Sequence, residues 1–226
     1  MAQTKLWHLE NFSMLSILSK AEMKALDAMA VMRNMPKNQV IYFPEDTSNT
    51  VFLLKAGKVK ISKMSESGKE MILALLGPGE IFGELSITGQ TKREEIAEAT
   101  EDAVICSVSI SDFQQMMEMN PKFNLQVTKL IGFRLKKIQS RLENLIFKTA
   151  DQRVRFFIKE LAEEHGREIL NNPEERVVKM RLTHDDIAKL SATSRQTVTT
   201  VLNDLEKHGT ISYDRNRIFV RQFSQL

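Results

Sequence analysis

The 226-residue chain has a single cysteine, Cys106, and a lone thiol limits what the protein can be. It excludes an intrachain disulfide and an iron–sulfur cluster held by four thiolates of one chain. Cys106 lies in the run Ala103-Val-Ile-Cys-Ser-Val, which is typical of a buried strand. A cysteine in such a strand usually acts as a small apolar residue, so we favour a structural role over that of a sensor or haem ligand.

Long apolar runs and a strong net charge are also missing. No run approaches the roughly 20 residues that span a bilayer, and the first residues lack the apolar core of a signal peptide. We therefore expect a cytoplasmic protein with no membrane partner. The formal net charge of +3 does not by itself indicate a nucleic-acid partner. Any DNA-binding surface must come from local clusters of Lys and Arg.

Catalytic and metal-binding patterns are equally absent from the sequence. The histidines are scattered, without the spacing of metal ligands: His8, His165, His184 and His208. Gly77-Pro-Gly is a turn signal that lacks the following Gly-Lys-Ser or Gly-Lys-Thr of a phosphate-binding loop. No Ser-His-Asp or Cys-His constellation is recognisable. We expect no enzyme, no catalytic residue, no metal site and no cofactor.

Between residues 39 and 109 the sequence alternates short apolar or β-branched runs with glycine turns. The runs cover residues 40–43, 51–54, 58–62, 71–76 and 104–108. This pattern predicts an antiparallel β barrel or roll. Composition predicts a helix on each side, over 20–32 and over 111–119, the second with Ser111 as its cap.

A long helical pattern begins after Pro121 and carries an apolar stripe. Its members are spaced four, three, four and three residues apart: Ile131, Leu135, Ile138, Leu142 and Leu145. This is the spacing of a coiled-coil seam. A single helix packed on its own barrel is the alternative, but a stripe sustained over two heptads and surrounded by basic residues favours pairing of two copies.

The C-terminal third predicts a helix-turn-helix with a wing. A helix capped by Thr149 or Asp151 should run to about His165, after a hinge over 147–151. A polar loop over 167–176 and a strand over 177–182 should follow, and two short strands over 210–213 and 217–220 should form the wing.

Two short helices are predicted back to back between these strands. Thr183 begins the first with a capping box completed by Asp186, and Ser194 begins the second. Apolar residues at helical spacing can pack the pair together: Ile187, Leu190, Val198, Val201, Leu202 and Leu205. Ala192 lies in the turn, where glycine is common, and costs little unless the turn is left-handed.

The polar face of the second helix suits a DNA major groove. Arg195 can bond guanine, Gln196 can bond adenine and Thr200 can contact a thymine methyl. Phosphate or backbone contacts are expected from the remaining DNA-binding candidates: Thr183, Ser194, Thr197, Thr199, Arg215, Arg217 and Arg221. An ordinary solvated face is the alternative, but no acid occurs from 187 to 203.

The stretch Gly79-Glu-Ile-Phe-Gly-Glu-Leu and residues 183–202, in this order of elements, resemble the CRP/FNR family of bacterial transcription regulators. The resemblance covers nearly the whole chain. It implies an α+β fold with three parts: a β roll like those that bind cyclic nucleotides (1–120), a dimerisation helix and hinge (121–148), and a winged helix-turn-helix (149–226). It also implies an effector in the roll, and double-stranded DNA, a second copy and RNA polymerase as partners.

The resemblance also gives candidates for an effector pocket: Gly83, Glu84, Leu85, Arg93, Ile138 and Gln139. Cyclic-nucleotide binders of this family hold the ribose with the Glu of Gly-Glu-Leu and the phosphate with an Arg-Ser pair. Here Glu94 follows Arg93, and a carboxylate in that place repels an anion. Ile138 and Gln139 stand where small hydroxyl residues contact the purine. We therefore expect an effector other than cyclic AMP, of unknown identity.

Structural roles compete with ligand binding at two of these positions, and we favour them. Glu84 fits a carboxylate that caps or stabilises a turn, and Arg93 fits a surface partner of the neighbouring acids. For the whole chain the main hypothesis is a homodimeric, sequence-specific DNA-binding regulator. The alternative is a ligand-binding regulatory module that acts on a protein partner. A salt-dependent shift of duplex DNA distinguishes the two.

Overall fold

The computed structural model describes residues 15–170, 172–214 and 216–226. The chain forms two compact units, the first ending at Leu135 and the second beginning at Lys136. The helices are α1 (Lys20–Met29), α2 (Ile110–Met119), α3 (Pro121–Phe147), α4 (Ala150–His165), α5 (His184–Leu190) and α6 (Arg195–Lys207). The boundary between the units therefore lies inside the long helix α3.

The first unit contains two four-stranded antiparallel sheets. Its strands are β1 (Val31–Met35), β2 (Val40–Tyr42), β3 (Thr50–Ala56), β4 (Val59–Met64), β5 (Glu70–Leu76), β6 (Ile81–Phe82), β7 (Ile96–Ala99) and β8 (Ala103–Ser109). One sheet has the order β1-β8-β3-β6 and the other has the order β2-β7-β4-β5. A buried cluster with Phe52, Leu54, Val59 and Phe82 fills the space between them. The predicted β roll is confirmed.

Helices cover the other face of the first sheet. Leu26 of α1, Met116 of α2 and Phe123 of α3 pack in one cluster with Leu53 and Cys106 of the sheet. Alternate residues of a strand point to opposite faces, and both faces are covered here, so β3 is apolar along most of its length. Cys106 has no exposed surface, as its predicted structural role requires.

Two predictions on this unit were wrong in detail, and one strand in an acidic stretch was not predicted. The helix predicted over 20–32 ends at Met29, because the backbone is extended at Ala30 and the following strand, β1, pairs with β8. Helix α2 is capped by Ser109 instead of Ser111, since the Ser109 hydroxyl accepts from the Asp112 N–H at 3.1 Å. Strand β7 lies in an acidic stretch that the apolar pattern did not mark.

The second unit packs its helices on a four-stranded sheet of order β11-β12-β10-β9. These strands are β9 (Gly166–Ile169), β10 (Asn172–Val178), β11 (Ile211–Tyr213) and β12 (Ile218–Val220). The polar loop predicted over 167–176 is wrong, because β9 and β10 pair there as antiparallel strands. An irregularity between Asn172 and Arg176 accommodates Pro173, which cannot donate to a regular ladder.

The helix-turn-helix is confirmed, with both predicted caps in place. Thr183 and Asp186 form a capping box at α5, and the Ser194 hydroxyl accepts from the Thr197 N–H at 3.0 Å at α6. The predicted apolar residues between the helices are fully buried except Leu190, which is half-buried. Strands β11 and β12 form the predicted wing.

Candidate DNA-binding surface and effector pocket

The start of α6 presents polar side chains to solvent. Arg195, Gln196 and Thr200 are exposed, while Val198 and Leu202 on the other side of the helix are buried. No acidic residue lies in the first turn of α6. The structure thus brings the three predicted base-reading residues onto one accessible surface.

Two residues predicted to contact phosphate, Thr197 and Thr199, use their hydroxyls in contacts within the domain. The Thr199 hydroxyl lies 2.8 Å from His184 Nδ1 and donates to the Arg195 carbonyl at 3.0 Å. The Thr197 hydroxyl lies 2.9 Å from that of Ser194. Thr197 and Thr199 are half-buried, so their hydroxyls hold α5 and the cap of α6 in place. Thr183 is exposed, and its hydroxyl donates to Asp186 Oδ2 at 2.7 Å.

The wing is joined to α6 by aromatic side chains that the sequence analysis missed. The ring of Tyr213 meets that of His184 edge to face, with centroids 5.8 Å apart. The Tyr213 hydroxyl donates to Asn203 Oδ1 at 3.2 Å. These contacts fix β11 against both helices. The only signal for them in the sequence was an aromatic residue at the end of the first predicted wing strand.

Two arginines of the wing lie over one aromatic ring. The guanidinium carbons of Arg217 and Arg221 lie 5.9 and 5.6 Å from the centroid of Phe219. Both arginines are exposed, and Arg217 lies 3.8 Å from Asp214. Arg215, the other predicted contact on the wing, lies outside the described residues. The wing therefore adds positive charge to the domain that carries α6.

Four of the six candidates for the effector pocket lie in the first unit: Gly83, Glu84, Leu85 and Arg93. Of these, Glu84 is 8% exposed. It begins a short 3-10 helix (Glu84–Thr88), and its carboxylate forms an ion pair with Arg134 of α3. Arg134 also donates to the Ile81 carbonyl. The carboxylate is therefore an ion-pair partner of a helix and does not cap the turn. Leu85 is 43% exposed.

Arg93 is 1% exposed, so the predicted surface role is wrong. Its guanidinium donates to the Gly83 carbonyl at 3.0 Å and to the Thr50 carbonyl. The guanidinium carbon lies 4.6 Å from the centroid of Tyr42 and 5.8 Å from that of Phe52. Arg93 and Gly83 thus meet, but the arginine is directed into the roll and bound to the backbone.

The two glutamates that follow Arg93 differ in exposure. Glu94 is exposed and pairs with Lys63 at 2.8 Å, and this hydrogen bond lowers the pKa of Glu94. Glu95 is buried and accepts from the Tyr42 hydroxyl at 3.2 Å. Burial, followed by the charge of Glu95, raises the pKa of Tyr42 far above its ordinary range. The buried carboxylate in this part of the roll is therefore that of Glu95, whereas Glu94 pairs with Lys63 at the surface.

The apolar stripe of α3 is exposed along its whole length. The exposed fractions are 36% for Ile131, 55% for Leu135, 64% for Ile138, 56% for Leu142 and 48% for Leu145. Gln139, the last pocket candidate, is also exposed. Within the described part of the chain, no helix could cross a membrane and no group of three or more His, Cys, Asp or Glu could hold a metal ion.

Known domain families match a large part of each of the two units. Residues 32–120 match the model of the cyclic nucleotide-binding domain, and residues 152–226 match that of the Crp-like helix-turn-helix domain. A global nitrogen regulator from Synechococcus elongatus is 30% identical over 186 residues, which cover 81% of this chain and 82% of that protein. A cyclic AMP receptor protein from Thermus thermophilus is 28% identical over 194 residues, covering 86% and 85%.

The structure of a CooA mutant from Carboxydothermus hydrogenoformans is similar to this chain, with a TM-score of 0.74 and 28% identity over 88% of this chain and 86% of that one. A β roll followed by a winged helix-turn-helix with an accessible second helix defines a DNA-binding transcription regulator and not an enzyme. The chain belongs to the CRP/FNR family of these regulators.

Proposed function

We propose that the protein binds DNA as a homodimer, reads its sequence with the start of α6, and responds to an effector other than cyclic AMP. The observation that carries the DNA-reading part is the exposed, acid-free surface of Arg195, Gln196 and Thr200. Arginine can bond guanine through O6 and N7, and glutamine can bond adenine through N6 and N7. This surface favours DNA over a protein partner.

The exposed stripe of α3 supports the homodimer. Five large apolar residues in heptad spacing, each more than a third exposed, form a contiguous patch that calls for a partner. A parallel pairing of two such helices buries the patch and presents two copies of α6 to one face of a duplex. Their half-sites then lie about one helical turn, roughly 34 Å, apart. RNA polymerase is a further proposed partner, since a transcription regulator acts on that enzyme.

The roll supports an effector other than cyclic AMP. Both Nη atoms of Arg93 are occupied by backbone carbonyls, and Glu84 is paired with Arg134. A cyclic phosphate needs those donors, and the buried carboxylate of Glu95 nearby disfavours an anion. The relatives differ in their names, a cyclic AMP receptor and a nitrogen regulator, and so do not indicate one effector.

Selection of bound duplexes from a random pool tests the DNA-reading proposal. The wild-type protein should select a two-fold sequence. Arg195→Ala should lose about 1 to 3 kcal/mol of binding free energy and its preference at one guanine. Arg217→Ala is the control, because loss of a backbone contact weakens all sequences alike. An unchanged motif and affinity in Arg195→Ala would place recognition elsewhere.

A further inference from the structure

Arg153 of α4 joins two parts of the second unit that are far apart in sequence. Its Nη1 donates to the Lys148 carbonyl at 3.0 Å, directly after the end of α3. Its Nε and Nη2 donate to the Ser191 and Ala192 carbonyls, at 3.0 and 2.9 Å, in the turn between α5 and α6. One rigid guanidinium therefore binds the end of the long helix and the turn of the helix-turn-helix.

The three acceptors are carbonyls at or just beyond helix ends. Carbonyls in the last turn of a helix lack partners within the helix and carry partial negative charge. Hydrogen bonds from a charged guanidinium are roughly twice as strong as those between neutral groups. The planar fork of arginine fixes the direction of each bond, which the single ammonium of lysine does not do.

Other contacts join α3 and the residue after it to α4. Lys137 pairs with Glu164 at 2.6 Å and lies 3.8 Å from Glu160. The ammonium of Lys148 lies 3.7 Å from the centroid of the Phe156 ring. The segment predicted as a hinge is thus preceded by a contact with α4 from Lys137 within α3, and it contains another from Lys148 just after that helix.

We propose that Arg153 is a positioning residue that sets the direction of α6 relative to the end of α3. The inference rests on the proposed homodimeric DNA-binding function. In a dimer joined through α3, this connection makes the separation of the two α6 helices follow from the geometry of the helix pair. Without it, each DNA-binding domain keeps its own surface, but the distance between the two surfaces is no longer fixed.

The test compares duplexes that carry one half-site with duplexes that carry two. The two half-sites are placed at the selected spacing and at spacings changed by one or two base pairs. Wild type should prefer one spacing sharply. Arg153→Gln should bind the single half-site with a Kd within about twofold of that of wild type. The ratio of its affinity for two half-sites to its affinity for one should be about tenfold or more below that of wild type, since this ratio depends on matched geometry.

The matched control is Arg155→Gln, which removes the same charge two residues further along α4. Arg155 pairs with Asp151 and with Asp204 of α6, but it donates to neither the end of α3 nor the turn. It should keep the spacing preference. Arg153→Lys keeps the charge without the fork and should behave as Arg153→Gln does.

Three outcomes decide the matter. An unchanged spacing preference in Arg153→Gln overturns the positioning role. Loss of half-site binding in both Arg153 variants also overturns it, because the residue then serves the folding of the domain. A wild-type protein with no advantage for two half-sites overturns the homodimeric function itself, before any variant is compared.

Discussion

The guanidinium carbon of Arg93 lies 4.6 Å from the centroid of the Tyr42 ring, and the Tyr42 hydroxyl donates to Glu95. The interior of the roll therefore already contains a cation that lies against an aromatic ring, and a carboxylate that accepts from the hydroxyl of that ring. An arginine that donates to the Gly83 and Thr50 carbonyls must give up those bonds before it can hold a ligand. We therefore expect that the roll does not bind cyclic AMP.

Titration calorimetry with cyclic AMP should give no saturable heat, because the phosphate would have to displace the backbone carbonyls from Arg93 beside the buried Glu95. Arg93→Gln serves as the control, since any heat that persists in this variant does not come from the pocket. Saturable binding by wild type with a Kd of about 1 µM, lost in Arg93→Gln, would contradict the expectation. Arg93 would then have to leave its carbonyls.

Gly83→Ala should destabilise the first unit. Gly83 has φ +72°, and a Cβ there would lie 2.9 Å from Arg93 Nη1 and 3.1 Å from the Thr50 carbonyl oxygen. We expect a loss of about 1 to 3 kcal/mol in the free energy of unfolding, measured by denaturant titration. Gly68→Ala is a matched control, because its φ is +77° with nothing within 4 Å. Equal losses of unfolding free energy in the two variants would mean that the contact with Arg93 does not contribute to the destabilisation.

The sequence predicted features that are encoded locally. The caps Thr183 and Ser194 and the stripe of α3 each depend on residues a few positions apart, and the structure has them where they were expected. Arg93 was misjudged because its partners Thr50 and Tyr42 are brought to it by sheet pairing, and the acids beside it suggested a surface. Arg153 was missed for a similar reason, since two of its acceptors lie 38 and 39 residues away.

Lys55 is 8% exposed, and burial lowers its pKa from 10.5 to about 8, with part of the effect offset by Cys106 and Asp27. Between pH 8 and 10.5 the unfolded chain holds a proton at this lysine that the folded chain does not, so stability rises with pH in that window. Lys55→Met should therefore be more stable than wild type at pH 7, by up to about 3 kcal/mol, and the gap should close towards pH 10.5.

The measurement for Lys55 is denaturant unfolding of wild type and variant across this pH range. Lys69→Met, at an exposed position, is the control that accounts for general effects of replacing a lysine. A gap between wild type and Lys55→Met that stays constant from pH 7 to 10.5 would show that burial does not penalise the charge of Lys55.

Ala192→Gly should stabilise the second unit. Ala192 has φ 49° in the turn between α5 and α6, and the left-handed conformation costs a residue with a Cβ roughly 1 to 2 kcal/mol. Glycine removes that cost but adds freedom to the unfolded chain, so the net gain should be at most about 1 kcal/mol. Ala188→Gly inside α5 should instead lose stability. Destabilisation by both substitutions would indicate that the turn is not left-handed in solution.

Ile138→Lys together with Leu142→Lys should convert the protein to monomers. Two ammonium groups at successive seam positions would meet their counterparts in the second copy, and their desolvation and repulsion disfavour the pairing of the α3 helices. Both residues are more than half exposed in the single chain, so the substitutions should leave the fold of each unit intact. Glu143→Lys adds a lysine beside the seam and should remain dimeric. Sedimentation velocity measures the outcome, and a double variant that still sediments as a dimer would place the interface elsewhere on the chain.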